Sequence, residues 1–332
     1  MEQSSVTVFV VDAFTNELFS GNPAAVCCLE NDIPDTLKSK IAAEMNLSET
    51  AFATIDTDGS ETFEKSTKFG LRWFTPSHEV DLCGHVGLIQ MTCTLYICYM
   101  DYILQATLAT AAVIFHKLGN KEKTIEFKTR SGILKAIQEG ESSITLDFPI
   151  NPPAPYEAEN LPDIVRIVVG NLEIQEVQHS ATTKKLLLRL ADKYNRFVNS
   201  RRFASASGAV QEHAGMHRQD LESLSPSLQD LLAVEKSGVV KGVIVTLQAN
   251  DKENFDFYSR YFAPWVGIPE DPVTGSAHTV LAPYWQTVYN KHHFRARQCS
   301  KRGGDLNIEI VEQRVKLTGQ VAHVLEGTIR IK

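Results

Sequence analysis

The segment Tyr261–His278, YFAPWVGIPEDPVTGSAH, carries the strongest indication of the fold. It places the acid Asp271 a few residues before Gly275, in a turn that opens a helix. Asp-Pro and Thr-Gly pairs are typical of turns, and the apolar side chains that follow recur on one side of a helix. These side chains are Ala277, Val280, Leu281, Tyr284 and Val288. Pro283 lies among them and should kink or interrupt the helix.

A related arrangement occurs earlier in the chain, where Asp81-Leu82-Cys83-Gly84-His85 ends a strand. Between the two motifs, Asn151-Pro152-Pro153-Ala154-Pro155 is a stiff, Pro-rich segment and the clearest domain boundary. We therefore predict two strand-rich halves, residues 5–150 and 151–332, in an α+β architecture. The closing strands are candidates to pack across this boundary, and they are predicted at Val315–Leu317, Val321–Leu325 and Thr328–Ile331.

Composition excludes several classes of protein. The chain has 332 residues, of which 43% are hydrophobic and 22% charged, with a net charge of −7. Nucleic-acid binders need clustered Lys and Arg, so this acidic chain is not predicted to be one. Its six cysteines form no CxxC pair, which argues against a structural metal site and for a cytoplasmic protein with reduced thiols.

One segment, Val86–Phe115, is apolar enough to suggest a membrane helix. Its only charged residue is Asp101, near the middle of the stretch. An acid at that depth costs roughly 2.5–3.5 kcal/mol on insertion scales. We therefore predict that this segment does not span a membrane.

Six segments together resemble the signatures of the phenazine-biosynthesis-like (PhzF-like) family. They are VDAFTNELFSGNPAAV from Val11, NLSETAF from Asn46, LRWFTPSHEVDLCGH from Leu71, Tyr261–His278, QCSKRGGDLNIEI from Gln298 and VLEGTIRI from Val324. The resemblance implies a diaminopimelate-epimerase-like fold. In that fold two pseudo-symmetric domains each wrap a curved sheet or barrel around a central helix, and the active site lies between them. A homodimer is a further expectation.

The resemblance also implies catalytic roles. Glu49, in the Ser-Glu-Thr motif, corresponds to the family's proton shuttle, although a lone Glu is otherwise most often a solvated charge. Burial between the domains would raise its pKa toward neutrality, as a base acting near pH 7 requires. Asp271 would polarise the substrate or hydrogen-bond its amine, where the alternative is a capping and turn-forming acid. His85 would act as a hydrogen-bond partner or proton donor, where the alternative is a structural histidine.

An anion site is expected where the second helix begins. The hydroxyl of Ser276 and the backbone N–H groups of Gly275 to Ala277 would face a bound carboxylate, because helix N-termini attract anions. Gly84 would contribute to the corresponding site in the first half. No Walker A or GxGxxG motif is present, so no nucleotide, metal or other cofactor is expected.

Two segments depart from the family pattern. In the family, the Cys-Gly-His of residues 83–85 is followed at once by Ala-Thr-Leu-Ala, which here begins at Ala106. Val86–Gln105 stands between them, and its terminal codons are compatible with the two ends of an intron. We interpret it as an insertion, which places the first central helix at Ala106 to about Lys117. Val198–Gln219 is a second insertion candidate, since it makes an unusually long loop.

Two functions follow as alternatives. The first is an isomerase that shifts a proton on a small carboxylate-bearing substrate by carboxylate acid–base chemistry. Racemases on this fold use two facing cysteines, and only Cys83 has the required position, so a two-thiol racemase is not predicted. The second is a regulatory or protein-interaction module whose catalysis is weak or lost, favoured by the insertion at Val86–Gln105.

Overall fold

The computed structural model describes residues 4–56, 61–80, 100–130, 132–196, 212–215, 218–249 and 254–332. The strands are β1 (Ser5–Ala13), β2 (Asn22–Leu29), β3 (Thr50–Ile55), β4 (Lys68–Phe74), β5 (Glu79–Val80), β6 (Thr124–Thr129), β7 (Gly132–Glu139), β8 (Ser143–Pro149), β9 (Ala154–Pro155), β10 (Ile174–Ser180), β11 (Lys185–Leu190), β12 (Lys193–Arg196), β13 (Glu212–Gly215), β14 (Gly242–Gln248), β15 (Phe257–Phe262), β16 (His293–Gln298), β17 (Gly304–Val311) and β18 (Arg314–Arg330). The helices are α1 (Asp35–Met45), α2 (Met100–Ala112), α3 (Leu161–Val169), α4 (Arg218–Glu222), α5 (Leu228–Val234) and α6 (Gly275–Tyr289), and α2 continues into a π-helical turn, Val113–Lys117.

The first half is a closed barrel. Its strands follow the order β1-β2-β3-β4-β6-β7-β8-β18, and β18 pairs back with β1 to close the ring. Side chains from alternate positions of the strands point inward onto α2, including Val11, Phe69 and Phe127. The outward-facing Val8 and Phe52 pack instead with Ile41 of α1. Strand β1 is therefore buried on both faces, as the near-continuous apolar sequence predicts.

The second half is a curved sheet that shares a strand with the barrel. The order continues from β18 through β17, β16, β15, β14, β11 and β10 to β9. The beginning of β18, from Arg314, pairs with both β8 and β17, and its later part, Val321–Arg330, pairs with β1. The three predicted closing strands are thus one strand of 17 residues. Because it belongs to both sheets, this strand joins the two halves of the chain.

Each sheet encloses one helix that is buried on all sides. In α6 every side chain from Gly275 to Trp285 is buried, and in α2 the same holds from Leu104 to Ala112. The two helices pack against each other in one continuous core with both sheets. The predicted α+β architecture, with a curved sheet or barrel around each of two central helices, is confirmed.

Helix α6 continues through Pro283, so the proline does not interrupt the helix, which was one of the two expected effects. A proline inside a helix leaves the carbonyl of residue i−4 without its N–H partner. That carbonyl belongs to Thr279, and here it accepts a hydrogen bond of 2.9 Å from the backbone N–H of Asn151. The Asn151 side chain also donates to the Thr279 hydroxyl at 2.9 Å. The segment after β8 therefore satisfies the carbonyl that the proline leaves free.

The expected start of the first central helix is wrong. Within the described residues helix α2 runs from Met100 rather than Ala106, so the last six residues of the predicted insertion Val86–Gln105 continue the helix toward its N-terminus. Met100, Leu104 and Gln105 among them are good helix formers, and Leu104 gains burial against α6. The rest of that insertion, 86–99, lies outside the described residues. Of the second insertion candidate, Val198–Gln219, the described part includes β13, which pairs with β12.

None of the helices in the described ranges is both long and apolar enough to cross a lipid bilayer.

A pair of histidines gives the fold an expected acid sensitivity. His116 on the π-helical turn and His323 on β18 face each other with their ring nitrogens 3.5 Å apart. Burial lowers the pKa of His323 to about 4, with a further lowering from His116 and Lys117 and an opposing effect of Glu326. Burial also lowers the pKa of His116. Acidification therefore protonates these rings more readily in the unfolded chain than in the folded one.

We expect stability to be fully present above the ordinary histidine pKa of about 6.5 and to fall as the pH decreases toward 4. His323→Gln should reduce this loss by a few degrees in thermal midpoint. Thermal unfolding at a series of pH values measures it, with the exposed His292→Gln as the control. An unchanged pH dependence in His323→Gln would show that the pair does not cause the acid sensitivity.

Candidate active site

Glu49 lies at the junction between α1 and β3. Asn46 ends α1 in the left-handed conformation, with φ of 48°, and the chain then turns into the strand. The backbone carbonyl of Glu49 accepts a hydrogen bond of 3.1 Å from the N–H of Ala25. The Glu49 side chain is 0% exposed, and neither of its carboxylate oxygens has a hydrogen-bond partner. Burying a carboxyl without hydrogen-bond partners costs free energy, so its presence here needs an explanation other than stability.

Asp271 lies in the turn before α6 and is also 0% exposed. In contrast to Glu49, both of its oxygens accept hydrogen bonds. The Asn22 amide donates to Oδ1 at 2.8 Å, and the Thr274 hydroxyl donates to Oδ2 at 2.5 Å. Donors of this kind stabilise the negative charge of a buried carboxylate.

The two carboxyl groups influence each other. Burial raises the pKa of Glu49 well above its ordinary value, and the negative charge of Asp271 raises it further. One carboxyl thus has hydrogen-bond donors and the other has none. When the environments of two acids differ in this way, the acid without donors holds its proton at higher pH. When the pair carries one proton, we therefore expect Glu49 to hold it and Asp271 to carry the charge.

The first turn of α6 completes this region. Gly275, Ser276 and Ala277 are all buried there. Gln298 on β16 fixes the turn, because its side chain accepts from the N–H of Thr274 at 2.8 Å and donates to the carbonyl of Asp271 at 2.7 Å. Backbone N–H groups of a first helical turn have no partner within the helix and carry partial positive charge. A first helical turn is in general suited to bind an anion.

His278 is fully buried one turn further along α6. Its Nδ1 lies 2.7 Å from the carbonyl of Thr274, and its Nε2 has no partner. Burial lowers the pKa of His278 to about 4, against a smaller opposing effect of that hydrogen bond. The ring is therefore neutral at pH 7 and carries its proton on Nδ1, since only a ring N–H can donate to a carbonyl.

Helix α2 packs against the same turn. Leu104 packs directly on Gly275: a Cβ atom at position 275 would lie 2.5 Å from Cδ1 of Leu104, so only glycine permits this contact. The neighbouring Gln105 is 0% exposed, and neither its amide nitrogen nor its amide oxygen has a partner. Leu104 of α2 thus packs against the first turn of α6.

The unpartnered Gln105 leads to a prediction of stability. Gln105→Met, which has a similar length and no buried amide, should raise the free energy of unfolding by about 1–3 kcal/mol, the cost of an unsatisfied buried polar group. Chemical denaturation measures this value. The matched control is Thr110→Val in the same helix, because the Thr110 hydroxyl already donates to the carbonyl of Ala106 at 2.6 Å and should give no such gain. A Gln105→Met variant that is less stable than the wild type would contradict the prediction.

Of the residues predicted from sequence, the structure brings Glu49 and Asp271 into electrostatic contact and places Gly275, Ser276 and Ala277 in the turn after Asp271. His85, Gly84 and Cys83 lie outside the described residues, so their roles stay predictions. Within the described parts of the chain, no three His, Cys, Asp or Glu side chains are grouped closely enough to hold a metal ion.

Sequence reasoning missed two residues that hold Asp271 and its turn, Asn22 and Gln298. Asn22 belongs to a Gly-Asn-Pro turn, and a turn is a sufficient explanation for Asn there. Gln298 ends a strand and has no local feature that separates it from a surface residue. Their partners are 249 and 24 or more residues away, so no pattern of neighbouring residues could reveal them.

Comparison with known proteins covers nearly the whole chain. The model of the phenazine biosynthesis-like protein family matches residues 11–96 and 100–327. The phenazine biosynthesis-like domain-containing protein of Bos taurus is 45% identical over 326 residues, which cover 97% of this chain and 98% of the relative. An uncharacterized isomerase of Halalkalibacterium halodurans is 38% identical over 323 residues and 97% of both chains. The crystal structure of a PhzF-family protein from Enterococcus faecalis matches with a TM-score of 0.75 at 32% identity, over 98% of this chain and 100% of the other.

Proposed function

Because the chain belongs to the phenazine biosynthesis-like protein family, we propose that it is an isomerase that shifts a proton on a small carboxylate-bearing metabolite. One observation carries the proposal: the carboxyl of Glu49 is fully buried, has no hydrogen-bond partner and lies near the charge of Asp271. A structural carboxyl would have donors, so this one is arranged for proton transfer. The name of the bacterial relative as an isomerase supports the same class of reaction.

The reaction requires Glu49 in its ionised form. Its carboxylate removes a proton from a carbon next to a conjugated system, so the C–H bond breaks, an O–H bond forms on Glu49, and the electron pair spreads into the conjugated system. Glu49 then returns the proton to another carbon of the same substrate, and the composition of the substrate is unchanged. A base with a raised pKa is the stronger acceptor in this step.

The other groups hold the substrate. The first turn of α6, with Gly275, Ser276 and Ala277, is suited to bind the substrate carboxylate through helix N–H groups. Asp271 is suited to accept a hydrogen bond from a substrate N–H or O–H group. The charge that develops on the substrate is then close to the positive end of α6, which stabilises it.

The raised pKa of Glu49 predicts the pH dependence of the rate. Since the ionised carboxylate is the active form, turnover should increase as the pH rises through the pKa of Glu49, at values well above the ordinary glutamate range. A pH–rate profile of kcat/KM measures this directly. A rate that is already maximal near pH 4.5 would show that Glu49 is not the base.

A regulatory or protein-interaction module of low activity is the second candidate function, and the position of Leu104 favours it. The Leu104 side chain covers Gly275, where a substrate carboxylate would bind. A substrate carboxylate that binds at this turn would therefore have to displace Leu104.

Solvent-deuterium exchange distinguishes the two functions. The purified protein is incubated in D₂O with small unsaturated carboxylates, and deuterium incorporation is followed by mass spectrometry. Exchange that needs Glu49 supports the isomerase. If neither the full chain nor a variant without Val86–Gln105 catalyses exchange, the result supports the regulatory or protein-interaction module.

A further inference from the structure

We propose that Asn22 is a positioning residue, which holds Asp271 charged and oriented from the opposite half of the chain and offers its own Oδ1 to a substrate N–H or O–H group. This inference rests on the proposed function, since it assigns a partner to Asp271 and narrows the substrate class. The substrate is then a small carboxylate that also carries an amino or hydroxyl group.

The contacts of Asn22 fix the orientation of its amide. Its Nδ2 donates to Asp271 Oδ1 at 2.8 Å and to the carbonyl of Val273 at 2.9 Å. Both neighbours only accept hydrogen bonds, so the nitrogen must face them and Oδ1 must face away. Asn22 is 0% exposed, and this Oδ1 has no partner. A buried acceptor without a donor, on a side chain that is bonded to Asp271, indicates a missing donor from a ligand.

The second half of the chain also fixes the backbone around Asn22. Gly21 has φ of 65°, and a Cβ atom there would lie 2.2 Å from the carbonyl of Ala13. Its N–H donates to the carbonyl of Gly303 at 2.8 Å. Arg302 then donates to the carbonyls of Gly21 and Ser20 at 2.8 and 2.9 Å. Arg302 and Gly303 thus fix the backbone beside Asn22, and the side chain of Asn22 in turn fixes the turn before α6.

This arrangement would stabilise the charged form of the buried Asp271 carboxyl. The Asn22 amide and the Thr274 hydroxyl are hydrogen-bond donors to its two oxygens. Loss of Asn22 leaves Oδ1 of Asp271 without this donor, and the folded protein should then favour a protonated Asp271. An uncharged Asp271 would no longer raise the pKa of Glu49, so Asn22 acts on the proton shuttle through Asp271.

The first test measures this effect without any substrate. It compares Glu49→Gln with Glu49→Gln/Asn22→Ala, because the Gln leaves Asp271 as the carboxyl that titrates in the pair. His278 is present in both proteins and cancels in the difference. If Asn22 stabilises the charge, folded Asp271 in the double variant keeps its proton at higher pH than the unfolded chain does. The stability gap, which is the difference in free energy of unfolding between the two proteins, should then increase as the pH rises from 4 to 7. The increase corresponds to a change of about 10- to 100-fold in the ratio of their unfolding equilibrium constants.

The matched control is Asn120→Ala in the same Glu49→Gln background. Asn120 is 1% exposed and donates to the carbonyls of Phe63 and Ser66, both at 2.8 Å, so it is buried and bonded like Asn22 but has no ionisable partner among these contacts. Its gap should be the same at both pH values. Should Asn22→Ala fail to fold, Asn22→Leu, which has a similar size and no donor, allows the same comparison. A gap for Asn22 that is equal at pH 4 and 7 would overturn its role in holding the charge.

The second test addresses the free Oδ1. Three matched probes differ only at C2: but-3-enoate, 2-hydroxybut-3-enoate and 2-aminobut-3-enoate. The wild type should exchange deuterium into the hydroxyl or amino probe about 10-fold faster than into but-3-enoate, and Asn22→Ala should lose this preference. If the variant keeps the preference, recognition by Oδ1 is wrong while the proposed function stands. If the wild type exchanges none of the probes, the result counts against the proposed function and the recognition of this substrate class, and the stability comparison still decides whether Asn22 holds the charge of Asp271.

Discussion

Glu49→Gln should reduce solvent-deuterium exchange by about 10²–10⁴-fold, the usual contribution of a positioned acid–base group. The amide has the shape of the protonated acid but cannot accept the proton from carbon. The variant should remain folded, because the carboxyl of Glu49 makes no hydrogen bond that the amide would lose.

The same variant, although less active, should be at least as stable as the wild type. A carboxyl whose pKa is raised on folding contributes stability below its unfolded pKa and loses it as the pH rises through the folded pKa. The permanently neutral Gln avoids that loss. Glu49→Gln should therefore unfold at the same or a higher temperature than the wild type, most clearly at alkaline pH.

Exchange rates and thermal unfolding of both proteins measure the two effects together. The matched control is Glu44→Gln, the same substitution on the exposed face of α1, which should change neither. A Glu49→Gln variant with wild-type exchange would remove Glu49 from the mechanism.

Deleting Val86–Gln105 should increase exchange by about 10²-fold. In the full chain a substrate has to displace Leu104 from Gly275, and loss of a buried Leu side chain costs about 2–5 kcal/mol. The deletion removes that competition, and it removes the buried and unpartnered amide of Gln105. We therefore also expect a higher soluble yield and a higher thermal midpoint.

A single substitution separates these effects. Leu104→Ala keeps the full chain but removes the side chain that covers Gly275, so it should increase exchange while lowering stability. Transcript sequencing provides an independent measurement: if the segment is intronic, mature messages should join His85 directly to Ala106. A deletion variant that is less stable than the full chain would instead show that the segment is an integral part of the fold.

Local sequence patterns were sufficient for much of the architecture. The near-continuous apolar run of β1 predicted a strand that is buried on both faces, since the side chains of a strand alternate between its two faces. The turn chemistry around Asp271 predicted where α6 begins. The resemblance to a known family then supplied the closed barrel and curved sheet, and it singled out Glu49 from the other acids.

Only the tertiary structure decided the properties on which the chemistry of the site depends. The pKa of Glu49 is raised by burial and by Asp271, and one of the two donors to Asp271 comes from Asn22, which is 249 residues away in sequence. Both effects depend on how the halves pack, because desolvation and charge act through space and not along the chain. The sequence also predicted three closing strands, because the continuity of β18 depends on its pairing with β8, β17 and the distant β1. Nor did the sequence show that Leu104 covers Gly275, since that contact joins residues far apart in the chain.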